Sequence, residues 1–169
     1  MKKMLLGLLF IGLANPMFSQ ITKPEQLSEV TVYATNYKYL TNVNSKEVAS
    51  IPVKTLEQMV ANYDLKSSDF YQDEYDKYII SFYIPEGKVL AAYDKDGKLL
   101  RTAEKYKDVN LPKGIKDAVA LRFPGWTITK DIYLVSFYDK GGINKKYKLK
   151  LENGDKIVRV KMNEYGDYL

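Results

Sequence analysis

The chain contains no cysteine and no histidine among its 169 residues. These two absences exclude disulfides, Cys/His zinc sites, thiolate nucleophiles and imidazole general bases at once. A large excess of one charge is also missing. There are 26 basic and 21 acidic residues; removing Lys2 and Lys3, which lie in a leader described below, leaves 24 against 21, or net +3. That is too mild for a nucleic-acid binder. Apolar runs are short, the longest being Met4 to Leu13. A transmembrane helix needs about 20 such residues, so no span is expected once the leader is removed. What remains is a chain of one-domain size, since about 150 residues bury roughly 68–70% of the surface exposed on unfolding, enough for a core without covalent staples.

Lys2 and Lys3 precede the apolar run, Asn15-Pro16 follow it, and small Ser19 stands ahead of Gln20. This is the order of a secretory signal peptide, and it predicts a leader over 1–19 and a periplasmic or secreted mature protein. Met17 fits the small-residue cleavage rule poorly, so the cut can fall a few residues away. No cysteine follows the run to carry a lipid.

A segment repeats. Asp76-Lys77-Tyr78-Ile79-Ile80-Ser81-Phe82-Tyr83 matches Asp131-Ile132-Tyr133-Leu134-Val135-Ser136-Phe137-Tyr138 at the same residue type in all but three positions. Upstream of the two blocks, Val53, Leu56, Met59, Val60 and Tyr63, and then Ile115, Ala118, Val119 and Phe123, recur at helical spacing. Downstream, Asp96-Gly97 and Asn153-Gly154 have the composition of two-residue hairpin turns. Glu86-Gly87 and Lys140-Gly141-Gly142 mark further reversals, and Pro52 and Pro112 suit first helical turns. Connections this short force antiparallel pairing. The expectation is an α+β fold: a tandem duplication of a helix plus three or four antiparallel strands, forming one extended antiparallel sheet with two helices on one face. Its parts are an N-terminal strand (Val30-Thr31-Val32-Tyr33) and polar connection in 20–52, a first repeat in 53–110 and a second in 111–169.

Alternation splits each strand into two faces. Tyr78, Ile80 and Phe82, with Tyr133, Val135 and Phe137, are expected beneath the helices. Tyr83 and Tyr138 fall on the opposite, open face. Lys146, Lys148 and Lys150 oppose Tyr147, Leu149 and Leu151, while Arg159 and Lys161 oppose Val158, Val160 and Met162. Tyr93, with Val89 and Ala91, is assigned to the open face of the first copy. Candidate partner-binding residues are therefore Tyr83, Tyr93, Tyr138, Lys146, Lys148, Lys150, Arg159 and Lys161. Tyrosine offers a large rigid contact area at small entropic cost, and a basic surface favours an acidic partner. The same residues also suit an exposed sheet that needs only solubility and protection of its edges.

No catalytic constellation is expected. Asp94-Lys95-Asp96-Gly97 opens like a calcium loop, but Lys105 stands where the closing Glu belongs, so a hairpin turn is the better reading. Asp69, Asp73, Glu74 and Asp76 read as a solvated acidic linker rather than a carboxylate pair across a cleft. Ser81 and Ser136 have no base, Gly141-Gly142 has no helix to complete a phosphate site, and Trp126 reads as a core cap. Neither a cofactor nor a metal is expected.

Leu111-Pro112, Phe123-Pro124-Gly125-Trp126, Asn153-Gly154 and Glu164-Tyr165-Gly166 together resemble the PepSY-like, beta-lactamase-inhibitor-like family of small exported Bacteroidetes proteins. So do Leu27-Ser28-Glu29-Val30-Thr31-Val32 and Asn36-Tyr37-Lys38-Tyr39-Leu40, which extends the resemblance over roughly 27 to 169. The resemblance implies a periplasmic or secreted binding module without catalytic residues, with inhibition of an enzyme by analogy to the inhibitor in the family's name. The expected function is non-enzymatic protein binding through the open sheet face. The alternative is an envelope accessory that binds an anionic polysaccharide or lipid head group through the lysine stripe.

Overall fold

In the computed structural model, residues 36–43 and 50–169 are described. The expected leader, the expected strand at Val30–Tyr33 and most of the 20–52 segment lie outside the described residues. Along the described chain run α1 (Tyr37–Val43), α2 (Ile51–Ala61), β1 (Lys77–Ile84), β2 (Gly87–Asp94), β3 (Leu99–Lys107), α3 (Lys113–Arg122), β4 (Thr127–Tyr138), β5 (Gly142–Asn153) and β6 (Lys156–Asn163). The strands form one six-stranded antiparallel sheet in sequence order. A helix followed by three strands therefore occurs twice, first with α2 and then with α3. The described residues hold three helices rather than two. The third, α1, occupies part of what reads in the sequence as a polar connection; its buried face is Tyr39 and Val43, one helical turn apart.

Helix boundaries follow local chemistry. Pro52 sits in the first turn of α2, where a missing N–H costs nothing. Pro112 immediately precedes α3, and its extended backbone directs the chain into the helix. At the other end of α3, the Phe123 N–H reaches the Val119 carbonyl at 2.8 Å, and Gly125 takes φ +78°, which no side chain can follow without strain.

The turns differ in detail from the sequence reading. Only glycines supply positive φ in the hairpins. Asn153 pairs with Lys156, so Gly154 and Asp155 are the central residues, with Gly154 alone at positive φ. In the β2–β3 turn the Asp94 carboxylate accepts from the N–H groups of Asp96 (2.9 Å) and Lys98 (3.0 Å). That occupies the aspartate as a turn-former. Gly87 has a different role, packing against an aromatic ring: a Cβ there would lie 2.5 Å from the Tyr106 ring.

Residues in register across antiparallel strands point the same way, so the pairing assigns every side chain to a face. Tyr78, Phe82, Val89, Ala91, Tyr106, Tyr133, Val135, Phe137, Tyr147, Leu149 and Leu151 are buried on the helix side. Tyr63 meets Phe82 edge-on at 5.4 Å and Tyr39 meets Phe137 at 5.3 Å, which bring α1 and the end of α2 onto the sheet. Ile115 and Val119 bring α3 into the same core. Trp126 packs on Phe123, which also contacts Tyr168.

Tyr93 corrects the sequence assignment. It pairs with Tyr78, shares its face, is fully buried and donates its hydroxyl to the Val60 carbonyl at 2.7 Å. The error is one of phase: β1 and β2 join through Pro85-Glu86 with Ile84 opposite Gly87, and counting through that turn places Val89, Ala91 and Tyr93 under the helices.

Candidate functional site: the open sheet face

The second face of the sheet can be laid out in rows from the register. One row runs Tyr83, Lys88, Lys105, Leu134, Lys146, Asn163. Toward the β2–β3 turn come Ser81, Leu90, Ala103, Ser136 and Asn144, then Ile79, Ala92, Arg101, Tyr138 and Gly142. Toward the β5–β6 turn come Lys107, Ile132, Lys148 and Lys161, then Lys130, Lys150 and Arg159. Seven of the eight candidate residues, all but Tyr93, lie on this face.

Tyr83 (68% exposed) and Tyr138 (51%) are open to solvent, as are Ile79 and Leu90. Lys146, Lys148, Arg159 and Lys161 are exposed. Lys150 is half-buried and pairs with Glu152 on its own strand, whose carboxyl that contact holds below the ordinary range. Lys88, Arg101, Lys105, Lys107 and Lys130 share the face and do not stand out in the sequence. All five are exposed, and the first four belong to β2 and β3, so the charge reaches into the first half of the sheet.

The face has two unlike corners. Ile79, Leu90, Ala92, Arg101, Ala103 and Tyr138 line a hollow of about 200 Å³. Diagonally opposite, Lys130, Ile132, Lys148, Lys150, Arg159 and Lys161 line one of about 350 Å³. With strands about 4.8 Å apart and about 3.4 Å per residue, Tyr83 and Tyr138 stand roughly 20 Å apart. A small molecule cannot span that distance. The sheet as a whole, about 24 by 27 Å on the same spacings, is comparable to the roughly 800 Å² per partner of a standard protein interface.

Beneath the sheet, on the helix side, lies a buried cluster of charged residues that sequence reading misses. Glu104 of β3 accepts hydroxyl hydrogens from Tyr39 (2.8 Å), Thr102 (2.5 Å) and Tyr106 (2.7 Å). Burial pushes its carboxyl up, against the pull of those three donors and of Lys145. Glu57 of α2 is raised to about 8, first by burial and then by Glu104, with Lys145 and Lys54 opposing. One buried ammonium, Lys145, acts on both buried carboxyls and also pairs with Glu164 at 3.9 Å, so a single positive charge cannot match them all if they ionise together. The cluster lies under α1 and α2, with Glu57 and Glu104 only 5% and 3% exposed, and it ties those helices to the sheet. The sequence does carry a signal for it: Lys145 is in phase with Tyr147, Leu149 and Leu151, and Glu57 lies one turn from Val53.

The clustered acids Asp69, Asp73, Glu74 and Asp76 are solvent-facing residues of the segment before β1. Among the described residues no group of three or more acids is placed to hold a metal ion, and no helix is long and apolar enough to cross a membrane.

No protein-family model matches the chain, and no curated protein is significantly similar to it. Among solved structures it is similar to a BLIP-like protein of Bacteroides fragilis, at 17% identity over 58% of this chain and 68% of that one, with a TM-score of 0.31. At that level the likeness carries no functional argument.

Proposed function

We propose that the chain is an exported, non-enzymatic protein-binding module, inhibitor-like in design, that engages its partner across the open face of the sheet. The observation that carries this reading is the face itself: among the described residues no helix or loop covers it, and it presents Tyr83, Tyr138, Ile79 and Leu90 together with nine exposed cations. Exposed apolar side chains gathered on one continuous surface and bordered by charge mark interaction sites. The size of the surface favours a macromolecule over a small ligand. Export through a leader over 1–19 and descent from a duplicated helix-plus-three-strand unit belong to the same reading. They are supported by the order of charge and apolar residues at the N-terminus and by the Asp76–Tyr83 and Asp131–Tyr138 identities.

The test is capture from a cell-envelope extract by the mature chain and by a Tyr83→Ala, Tyr138→Ala double variant. The wild type is expected to retain a defined partner that the double variant loses while its melting temperature stays within a few degrees. Equal recovery by both would reject the reading. The envelope-polymer alternative draws on the basic corner; it predicts binding to an anionic polysaccharide that collapses as salt rises and is indifferent to the two tyrosines.

A further inference from the structure

The basic corner has a feature that solubility does not explain. Lys130 stands directly opposite Lys150, Lys150 opposite Arg159, and Lys148 opposite Lys161. Like charges in direct register destabilise an antiparallel pair, and a sheet that needed only a soluble surface would intersperse carboxylates among them. Among the described residues, the one ion pair made by any of these five is Lys150 with Glu152. All five line a single hollow around Ile132.

We propose that this corner is a carboxylate-binding site that receives an acidic, extended segment of the partner protein. The inference rests on the protein-binding reading and specifies the partner's chemistry. Adjacent strands set Lys130, Lys150 and Arg159 about 4.8 Å apart, and Lys148 and Lys150 sit about 6.8 Å apart along β5. Carboxylates at alternate positions of an extended chain have that same repeat of about 6.8 Å, so two or three Asp or Glu residues can each meet a cation pair. Ile132 offers their methylene groups an apolar contact. Among the described residues no aromatic ring lines the hollow, so a sugar would lack a flat face to stack on. The opposite corner with Ile79, Leu90 and Tyr138 gives a folded partner, not a lone charged polymer, a second point of attachment.

The probe is a synthetic ten-residue peptide with Glu at three alternate positions, titrated against the isotope-labelled mature chain by NMR beside its Gln counterpart. The Glu peptide is expected to move the amide signals of Lys148, Lys150, Arg159 and Lys161, and the Gln peptide to leave them. Binding is expected to weaken as salt is raised from about 0.05 to about 0.3 M, because exposed charges are screened over that range. A Lys148→Gln, Arg159→Gln variant is expected to bind the Glu peptide at least about tenfold more weakly, since charge-assisted contacts are lost. The same variant is expected to melt higher than wild type, because like-charge pairs have been removed; a surface kept only for solubility would show no loss of binding. Equal shifts with the Gln peptide, shifts located elsewhere, or wild-type affinity in the variant would each overturn the proposal. So would tighter binding of dextran sulfate or of phosphatidylglycerol vesicles than of the Glu peptide, which would assign the corner to a polymer or to lipid. The peptide does not need Tyr83 or Tyr138. Failed titration with intact, tyrosine-dependent capture therefore removes this inference alone, and successful titration with failed capture removes the broader reading alone.

Discussion

Replacing Glu57 with glutamine should make the protein more stable at alkaline pH and leave it nearly unchanged near pH 5. Glu57 is buried under α2, and its pKa is raised from 4.5 to about 8 by burial and by Glu104, against Lys145 and Lys54. A carboxyl that holds its proton more tightly folded than unfolded stabilises the fold fully below the unfolded value. It gives that stabilisation up as pH climbs from 4.5 to about 8. At about 1.36 kcal/mol per pH unit, this interval corresponds to roughly 5 kcal/mol lost across the window. The substituted amide would keep the shape and hydrogen-bonding capacity without the charge, and it would leave Lys145 to Glu104 and to its ion-pair partner Glu164. Urea unfolding followed by circular dichroism at about pH 5, 7 and 9 is the assay. Wild type should weaken steeply over that range, whereas Glu57→Gln should weaken less and exceed it by several kcal/mol at the alkaline end. Parallel curves for the two proteins, or a variant weaker than wild type at about pH 9, would refute the charge count on which the reasoning stands.

Three further outcomes follow from the same packing. Gly87→Ala forces a methyl to within 2.5 Å of the Tyr106 ring and should cost about 1–3 kcal/mol, a drop of a few degrees or more in melting temperature. Tyr39→Phe removes one of three donors to the Glu104 carboxyl and should cost about 1.5–3 kcal/mol while leaving the helix content unchanged by circular dichroism. Asp139, in the β4–β5 turn, pairs with Lys38 at 2.9 Å and Lys98 at 2.7 Å, and hydrogen bonds from Lys98 and Lys38 lower its carboxyl to about 2. Its stabilisation is present above the unfolded value of 3.8 and is lost as pH falls through about 2. Asp139→Asn should therefore flatten the fall in melting temperature over that acid range.

What can be read from the residues is whatever periodicity carries within one element. The phase of Tyr78 and Phe82, and of Tyr133, Val135 and Phe137, is unambiguous because each strand alternates cleanly, and the structure buries all five. Phase across a turn is harder: Tyr93 goes to the wrong face because the face of β2 depends on how many residues Pro85-Glu86 spends reversing the chain. Helix α1 escapes because seven residues give one repeat of the apolar spacing, too little to stand out from a polar surround. The candidate site is legible as two sets, the β1 and β4 tyrosines and the β5–β6 cations. Lys88, Arg101, Lys105 and Lys107 go unnoticed because their exposure follows from register with neighbouring strands, which no single segment encodes. The Glu57, Glu104 and Lys145 cluster joins α2, β3 and β5, and only tertiary packing brings them together.

The central claim is that one whole face of the sheet is bare in the intact mature protein. Tyrosine nitration followed by mass spectrometry measures this directly, because the two faces carry tyrosines of opposite exposure: Tyr83 and Tyr138 on one, and Tyr93, Tyr106, Tyr133 and Tyr147 on the other, where Tyr39 of α1 is buried with them. The account predicts rapid modification of Tyr83 and Tyr138, near the rate of the unfolded chain, with the five buried rings untouched until denaturant is added. Protection of Tyr83 and Tyr138 in the monomeric mature chain would mean that the surface is already covered and would contradict it.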